Sequence, residues 1–65
     1  MDEQVVDPED KRFAEAVRDV CLREAKEAYE DARMRGLCEE GAWECAVGAL
    51  ESLSIGDLVR CVRNE

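Results

Sequence analysis

The sequence contains no histidine and little else from which catalytic or metal-binding sites are usually built. It has one proline, and its aromatic residues are one tryptophan, one tyrosine and one phenylalanine. A glycine-rich phosphate loop, an HExxH metal motif and a serine in a recognisable nucleophile turn are all absent from the sequence. We therefore expect a protein that is not an enzyme and that binds no cofactor and no metal.

Long apolar runs are also missing. No stretch approaches the roughly 20 apolar residues that a membrane-spanning helix needs, and the acidic start Met1-Asp2-Glu3 differs from the basic and then apolar start of a signal peptide. Basic residues are absent from 1–10 and from 36–57, and the net charge is -8. Because such a surface repels phosphate and anionic lipid, we expect a cytoplasmic protein with neither nucleic acid nor membrane as a partner.

The chain has only 65 residues, and a domain of that size buries about 60% of the surface that its unfolded chain exposes. Small domains of this kind are usually stabilised further by disulfides, a metal, oligomerisation or very regular helix packing. We expect residues 8–65 to form one helical domain and residues 1–7 to be a flexible acidic N-terminus.

A long first helix is predicted from Asp7-Pro8, because aspartate caps helices and proline suits the first helical position. Basic residues and then Gly36 mark its end. Apolar residues recur at the three-and-four spacing of one helical face: Phe13, Ala14, Val17, Val20, Cys21, Ala25, Ala28 and Ala32.

Two shorter helices follow. The second begins with acidic residues, which suit a helix N-terminus, and its inner face is expected to hold Ala42, Cys45, Ala46, Ala49, Leu50 and Leu53. The third is capped by Ser54, with Asp57 three residues later. The second helix is apolar over more than half its circumference, so we expect it to contact both the first helix and the C-terminal one.

The predicted fold is therefore all-α: a helical hairpin of a long helix, a tight turn and a shorter helix, followed by a short C-terminal helix. The alanine-rich stripe of the first helix buries little area per residue. Dimerisation of two hairpins into a four-helix bundle would supply the missing burial, so we expect a homodimer.

Four cysteines allow three interpretations. Stable disulfides are rare in the cytosol, and Cys21 and Cys45 should lie at different depths along the hairpin, about 10 Å apart. A zinc site would need closely spaced ligands, which the sequence lacks. Cys21 and Cys45 are best explained as small core residues. Cys38 is the candidate reactive thiol, because the start of the second helix favours a thiolate whereas the adjacent Glu39 and Glu40 oppose it.

The candidate interaction residues are Trp43, Val47, Glu39, Glu40 and Glu44. We expect the Trp43 indole to cover the small-residue surface of the first helix; the alternative is a partner-binding anchor, a common role of tryptophan at interfaces. The acidic residues are explained either as a solvated helix start or as a docking face for a basic protein surface.

The run Gly36-Leu37-Cys38-Glu39-Glu40-Gly41-Ala42-Trp43-Glu44 resembles a set of short bacterial proteins built around a GLCxEGxWE motif, over roughly residues 24–55. Some of those proteins are labelled acetyltransferases, but that activity needs a mixed sheet and a pyrophosphate-binding loop, and this sequence predicts neither. What the resemblance implies is a small helical protein. The sequence thus favours an interaction or regulatory module that self-associates, and its alternative is a thiol-based redox or metal-responsive regulator that uses Cys38 with Cys45 or Cys61.

Overall fold

A computed structural model describes residues 6–64, of which 83% are helical. The helices are α1 (Pro8–Met34), α2 (Glu39–Glu51) and α3 (Ile55–Arg63), which confirms the all-α prediction. The expected flexibility of the N-terminus concerns mainly residues 1–5, which lie outside the described residues. Over 6–64, no helix is both long enough and apolar enough to cross a bilayer.

Both ends of α1 are formed by the predicted capping residues. Asp7 Oδ1 accepts a hydrogen bond from the Glu9 backbone N–H at 2.8 Å. At the other end the Leu37 N–H donates to the Ala32 carbonyl and the Gly36 N–H to the Arg33 carbonyl, both at 3.0 Å, which is the Schellman pattern. Gly36 has a φ of +97°, a left-handed conformation that favours glycine, and this conformation ends the helix.

Side-chain hydrogen bonds also mark the break between α2 and α3. The Ser52 hydroxyl donates to the Gly48 carbonyl at 2.8 Å and so satisfies one of the last carbonyls of α2. The Ser54 hydroxyl accepts from the Asp57 N–H at 3.4 Å at the start of α3, as the sequence predicts. The two serines therefore divide one apolar stretch into two helices.

The shorter helices follow one another along the long one. Trp43 of α2 and Tyr29 of α1 line one groove, whereas Leu58 of α3 and Val20, farther towards the start of α1, line another. Helix α1 has 27 residues and the other two have 13 and 9, or about 40, 20 and 14 Å at 1.5 Å per residue. Helices α2 and α3 together therefore nearly match the length of α1.

Helix α3 consequently packs on α1 and, within residues 6–64, makes no comparable contact with α2. The expectation that the C-terminal helix would cover a second face of α2 is wrong, because Ser52 and Ser54 extend the chain along α1 rather than turning it back.

The end of α3 lies at the start of α1. The Arg63 guanidinium stands over the Phe13 ring, 5.0 Å from its centroid, and Leu58 is buried. Ala14 is exposed although the sequence places it on the apolar stripe, while Ala16 is half-buried. The contact face of α1 thus changes along its length, because α3 packs on the side of Phe13 and Val20 rather than on the line of alanines that faces α2.

The core is very small. Among residues 6–64 only Ala32, Ala42, Ala46 and Leu58 are buried. The molecule measures 44 × 27 × 16 Å. Large apolar side chains such as those of Leu22, Trp43 and Ile55 are exposed.

Substitution of Gly48 in α2 and of Gly36 in the turn tests the assigned hairpin. An added Cβ at Gly48, inside α2, meets no atom within 4 Å, so Gly48→Ala should raise the free energy of unfolding by about 0.5–1 kcal/mol through helix propensity. Gly36→Ala should lower it by about 1–2 kcal/mol because of the left-handed φ. Urea unfolding followed by circular dichroism measures both. Equal effects of the two substitutions would contradict the assigned turn.

Candidate interaction site

An apolar groove lies between α1 and α2. Its volume is about 260 Å³, and its lining residues are Ala25, Lys26, Tyr29, Glu30, Trp43 and Ala46. The only tryptophan of the chain, Trp43, stands at this groove with 65% of its surface exposed. A large aromatic ring beside a concave apolar surface is the usual form of an interface anchor.

The exposure of Trp43 follows from the residues beside it. Ala42 and Ala46 are 0% and 4% exposed, and Ala32 on the facing helix is 0% exposed, so small side chains form the contact between the helices. Trp43 comes one residue after Ala42, about 100° round the helix, which takes its ring out of that contact. The expectation that Trp43 covers the core is therefore wrong: the close approach of the alanines leaves no space there for an indole.

Helical spacing extends this surface along both helices. Leu22 lies seven residues before Tyr29 and Leu50 lies seven residues after Trp43, so each pair shares one side of its helix. Leu22 is 51% exposed and Leu50 is 40% exposed. Leu50 was expected on the inner face, and the structure corrects this. Val47, four residues after Trp43, is half-buried on the same side.

We call this surface the Trp43 face; its residues are Leu22, Tyr29, Trp43, Val47 and Leu50. Sequence reasoning proposed Trp43 and Val47 as interaction residues and did not place the other three on the same surface. The seven-residue spacing of Leu22 to Tyr29 and of Trp43 to Leu50 is the signal that identifies them.

Charged residues border the Trp43 face unequally. On α2, Glu39 and Glu40 are exposed and lie four and three residues before Trp43, on its side of the helix. The third predicted acid, Glu44, is exposed on the side opposite Ala42. On α1 the corresponding positions hold bases: Lys26 lines the groove, and Arg33 donates from Nη1 to the Leu37 carbonyl at 3.3 Å. The face is thus acidic along α2 and carries both signs of charge along α1, where Glu30 lines the groove beside Lys26.

A larger cleft, of about 420 Å³, lies where the end of α2 and α3 meet α1. Glu24, Asp57, Ser52 and Ser54 are among its lining residues, so it presents carboxylates and hydroxyls together with small apolar patches. It holds no large exposed apolar side chain, and it is therefore a weaker candidate for protein docking than the Trp43 face.

All four cysteines are free. Cys38 is the N-cap residue of α2, with no capping hydrogen bond from its side chain, and it is exposed, as is Cys61. Cys21 and Cys45 are half-buried. In the part of the chain that the structure describes, no three His, Cys, Asp or Glu side chains are grouped to hold a metal ion.

The fold keeps Cys38 away from both of its suggested partners. Cys45 lies seven residues along the same stretch of helix, or about 10 Å, whereas a disulfide needs Cα atoms within about 7 Å. The whole of α2, about 20 Å long, separates Cys38 from α3, which carries Cys61. Neither pair can form a disulfide within one folded chain.

Comparison of the chain with protein-family models, with curated proteins and with solved structures finds no match. The site is therefore interpreted from its own geometry.

The exposure of the cysteines can be tested with a thiol reagent. We expect Cys38 and Cys61 to be alkylated first in the native protein, and Cys21 and Cys45 more slowly, because burial limits the access of the reagent. Peptide mapping after timed quenching measures the order, and a denatured sample is the control in which the order should be lost. Early native labelling of Cys45 would contradict the packing of α2 on α1.

Proposed function

We propose that this chain is a non-enzymatic helical interaction module that self-associates through the Trp43 face. The observation that carries the proposal is the 65% exposure of Trp43 at the apolar groove. Exposed apolar side chains that form one continuous surface mark interaction sites, and tryptophan is enriched among the residues that dominate binding energy.

The small core supports self-association. Three of the four buried side chains among residues 6–64 are methyl groups of alanine, and these contribute little burial energy. Covering a side chain such as Leu22 or Leu50 in an interface is worth about 1.5–3 kcal/mol when burial is complete. Twofold dimers are the commonest oligomers, and each contact is made twice in such a dimer. A second copy therefore supplies stability that the single hairpin lacks.

The other possibilities are less well supported. The exposed Glu39 and Glu40 suit a larger partner with a basic surface, which stays a prediction, as does the cytoplasmic location. A thiol-based regulator would need disulfides between copies, because Cys38 cannot reach Cys45 or Cys61 within one chain.

The substitution Trp43→Ala separates an anchor from a core residue. Because most of the indole is exposed, we expect the variant to keep its helix content at protein concentrations at which it is still dimeric. We expect its dimer dissociation constant to rise at least about thirtyfold, the equivalent of the roughly 2 kcal/mol that defines a hot spot. Sedimentation equilibrium and far-ultraviolet circular dichroism of the same samples measure the two properties.

Ile55→Ala is the matched control, because Ile55 in α3 is 66% exposed and lies outside the Trp43 face. This variant should associate as the unmodified chain does. Loss of helix in the dimeric Trp43→Ala variant would show that Trp43 is a core residue, and unchanged association would assign self-association to another surface. If the unmodified chain is monomeric at millimolar concentration, the proposed function is refuted.

A further inference from the structure

The Trp43 face is open to a second copy. Leu22, Trp43 and Leu50 are each at least 40% exposed on it. Helix α3 packs on the side of α1 that carries Phe13 and Val20. That side lies about half a turn round the helix from Tyr29, so α3 does not cover the face. Two hairpins can therefore stack directly, face to face.

Only two twofold arrangements stack such hairpins with their helices aligned. A twofold axis parallel to the helices places α2 of each copy on α1 of the other. An axis across the helices, in the plane of the interface, places α1 on α1 and α2 on α2. The distribution of charge distinguishes them, because residues 36–57 contain acids and no base, whereas residues 11–35 contain seven bases.

Stacking α2 on α2 brings Glu39 and Glu40 against a helix that offers carboxylates and no cation. Like charges placed together in an interface oppose association. Stacking α2 on α1 instead brings these two acids against a helix that carries Glu30 but also the cations Lys26 and Arg33. The second arrangement removes a repulsion and introduces an attraction.

Symmetry then fixes the register. Rotation about an axis parallel to the helices leaves the height of every residue unchanged. Within one hairpin Trp43 and Tyr29 line one groove and are each seven residues from the turn at Gly36, so they lie at about the same height. Leu50 is then level with Leu22, each about 10 Å farther along. By the same count Glu39 and Glu40 are level with Arg33, so the same pairs must also face one another across the dimer.

We propose that the protein forms a four-helix homodimer about an axis parallel to its helices. In it Trp43 faces Tyr29, Leu50 faces Leu22, and the Glu39–Glu40 pair faces Arg33 of the partner subunit. This arrangement rests on the proposed self-association through the Trp43 face and adds to it the orientation and the register of the second copy.

A charge-exchange experiment tests the arrangement. Arg33→Glu and the double substitution Glu39→Arg, Glu40→Arg each place like charges across the interface. We expect each to raise the dimer dissociation constant about tenfold or more at low salt. A heterodimer formed in an equimolar mixture of the two variants has two such contacts. At one, the carboxylate introduced at position 33 faces the guanidinium groups introduced at positions 39 and 40. At the other, the original Arg33 faces the original Glu39 and Glu40. The mixture should therefore form heterodimers with the affinity of the unmodified protein. Native mass spectrometry resolves these heterodimers from the homodimers.

The matched control is Glu44→Arg, Glu51→Arg, which makes the same change of charge on the same helix. Glu44 and Glu51 are exposed and lie about 6 and 16 Å farther along α2 than Glu40, away from the level of Arg33, so this variant should not restore association when mixed with Arg33→Glu. Equal restoration by the control, or none by the Glu39 and Glu40 variant, would overturn the arrangement. Self-association that depends on Trp43 would then still stand.

Arg33 also donates a hydrogen bond to the Leu37 carbonyl, so its substitution removes a contact within the hairpin as well. A second experiment therefore leaves Arg33 unchanged. In a background with the four native cysteines replaced by alanine, a chain with Leu22→Cys is mixed with a chain with Leu50→Cys and oxidised. The proposed register predicts a disulfide between the two kinds of chain and little between two chains of the same kind. Predominant linkage of Leu50→Cys chains to one another would show α2 on α2 and overturn the proposal.

Discussion

The close contact of α1 and α2 through alanine is the constraint on which the rest of the structure depends. Ala32, Ala42 and Ala46 are almost completely buried, and small side chains allow two helix backbones to approach closely. Such a contact defines the geometry well but removes little apolar surface from water. The hairpin is therefore specified by its caps and by the shape of this contact more than by a large core.

The same contact decides where the large side chains lie. Because the seam between the helices accepts only small residues, Trp43, Leu22 and Leu50 stand beside it and share one face with Tyr29. That face combines exposed apolar side chains from both helices with acids alone along α2 and charges of both signs along α1. These properties are the basis of the proposed self-association and of the proposed orientation of the second copy.

The fold was largely predictable from the sequence because its helix ends are encoded locally. Asp7, Gly36 and Ser54 form the predicted caps through hydrogen bonds and backbone geometry that involve only near neighbours. The side on which α3 would pack was not predictable in the same way. It depends on how Ser52 and Ser54 direct the chain, and on a contact between Arg63 and Phe13 that lie fifty residues apart.

The candidate site was predicted only in part, and for a related reason. Trp43 and Val47 were identified from their residue types and positions, but the sequence pattern placed Trp43 over α1 and Leu50 on the inner face. Periodicity locates a residue to within about a quarter of a turn, and here that margin separates the buried alanines from the exposed face. Only the contact between the two helices resolves the difference.

The central claim is that folding of this chain is coupled to the covering of its Trp43 face by a second copy. Its most direct test is the thermal midpoint of the unmodified protein, measured by circular dichroism over a thousandfold range of concentration. Because association stabilises only the folded state, the account predicts a midpoint that rises steadily with concentration. A midpoint that is the same at every concentration, with a monomeric mass at each, would contradict it.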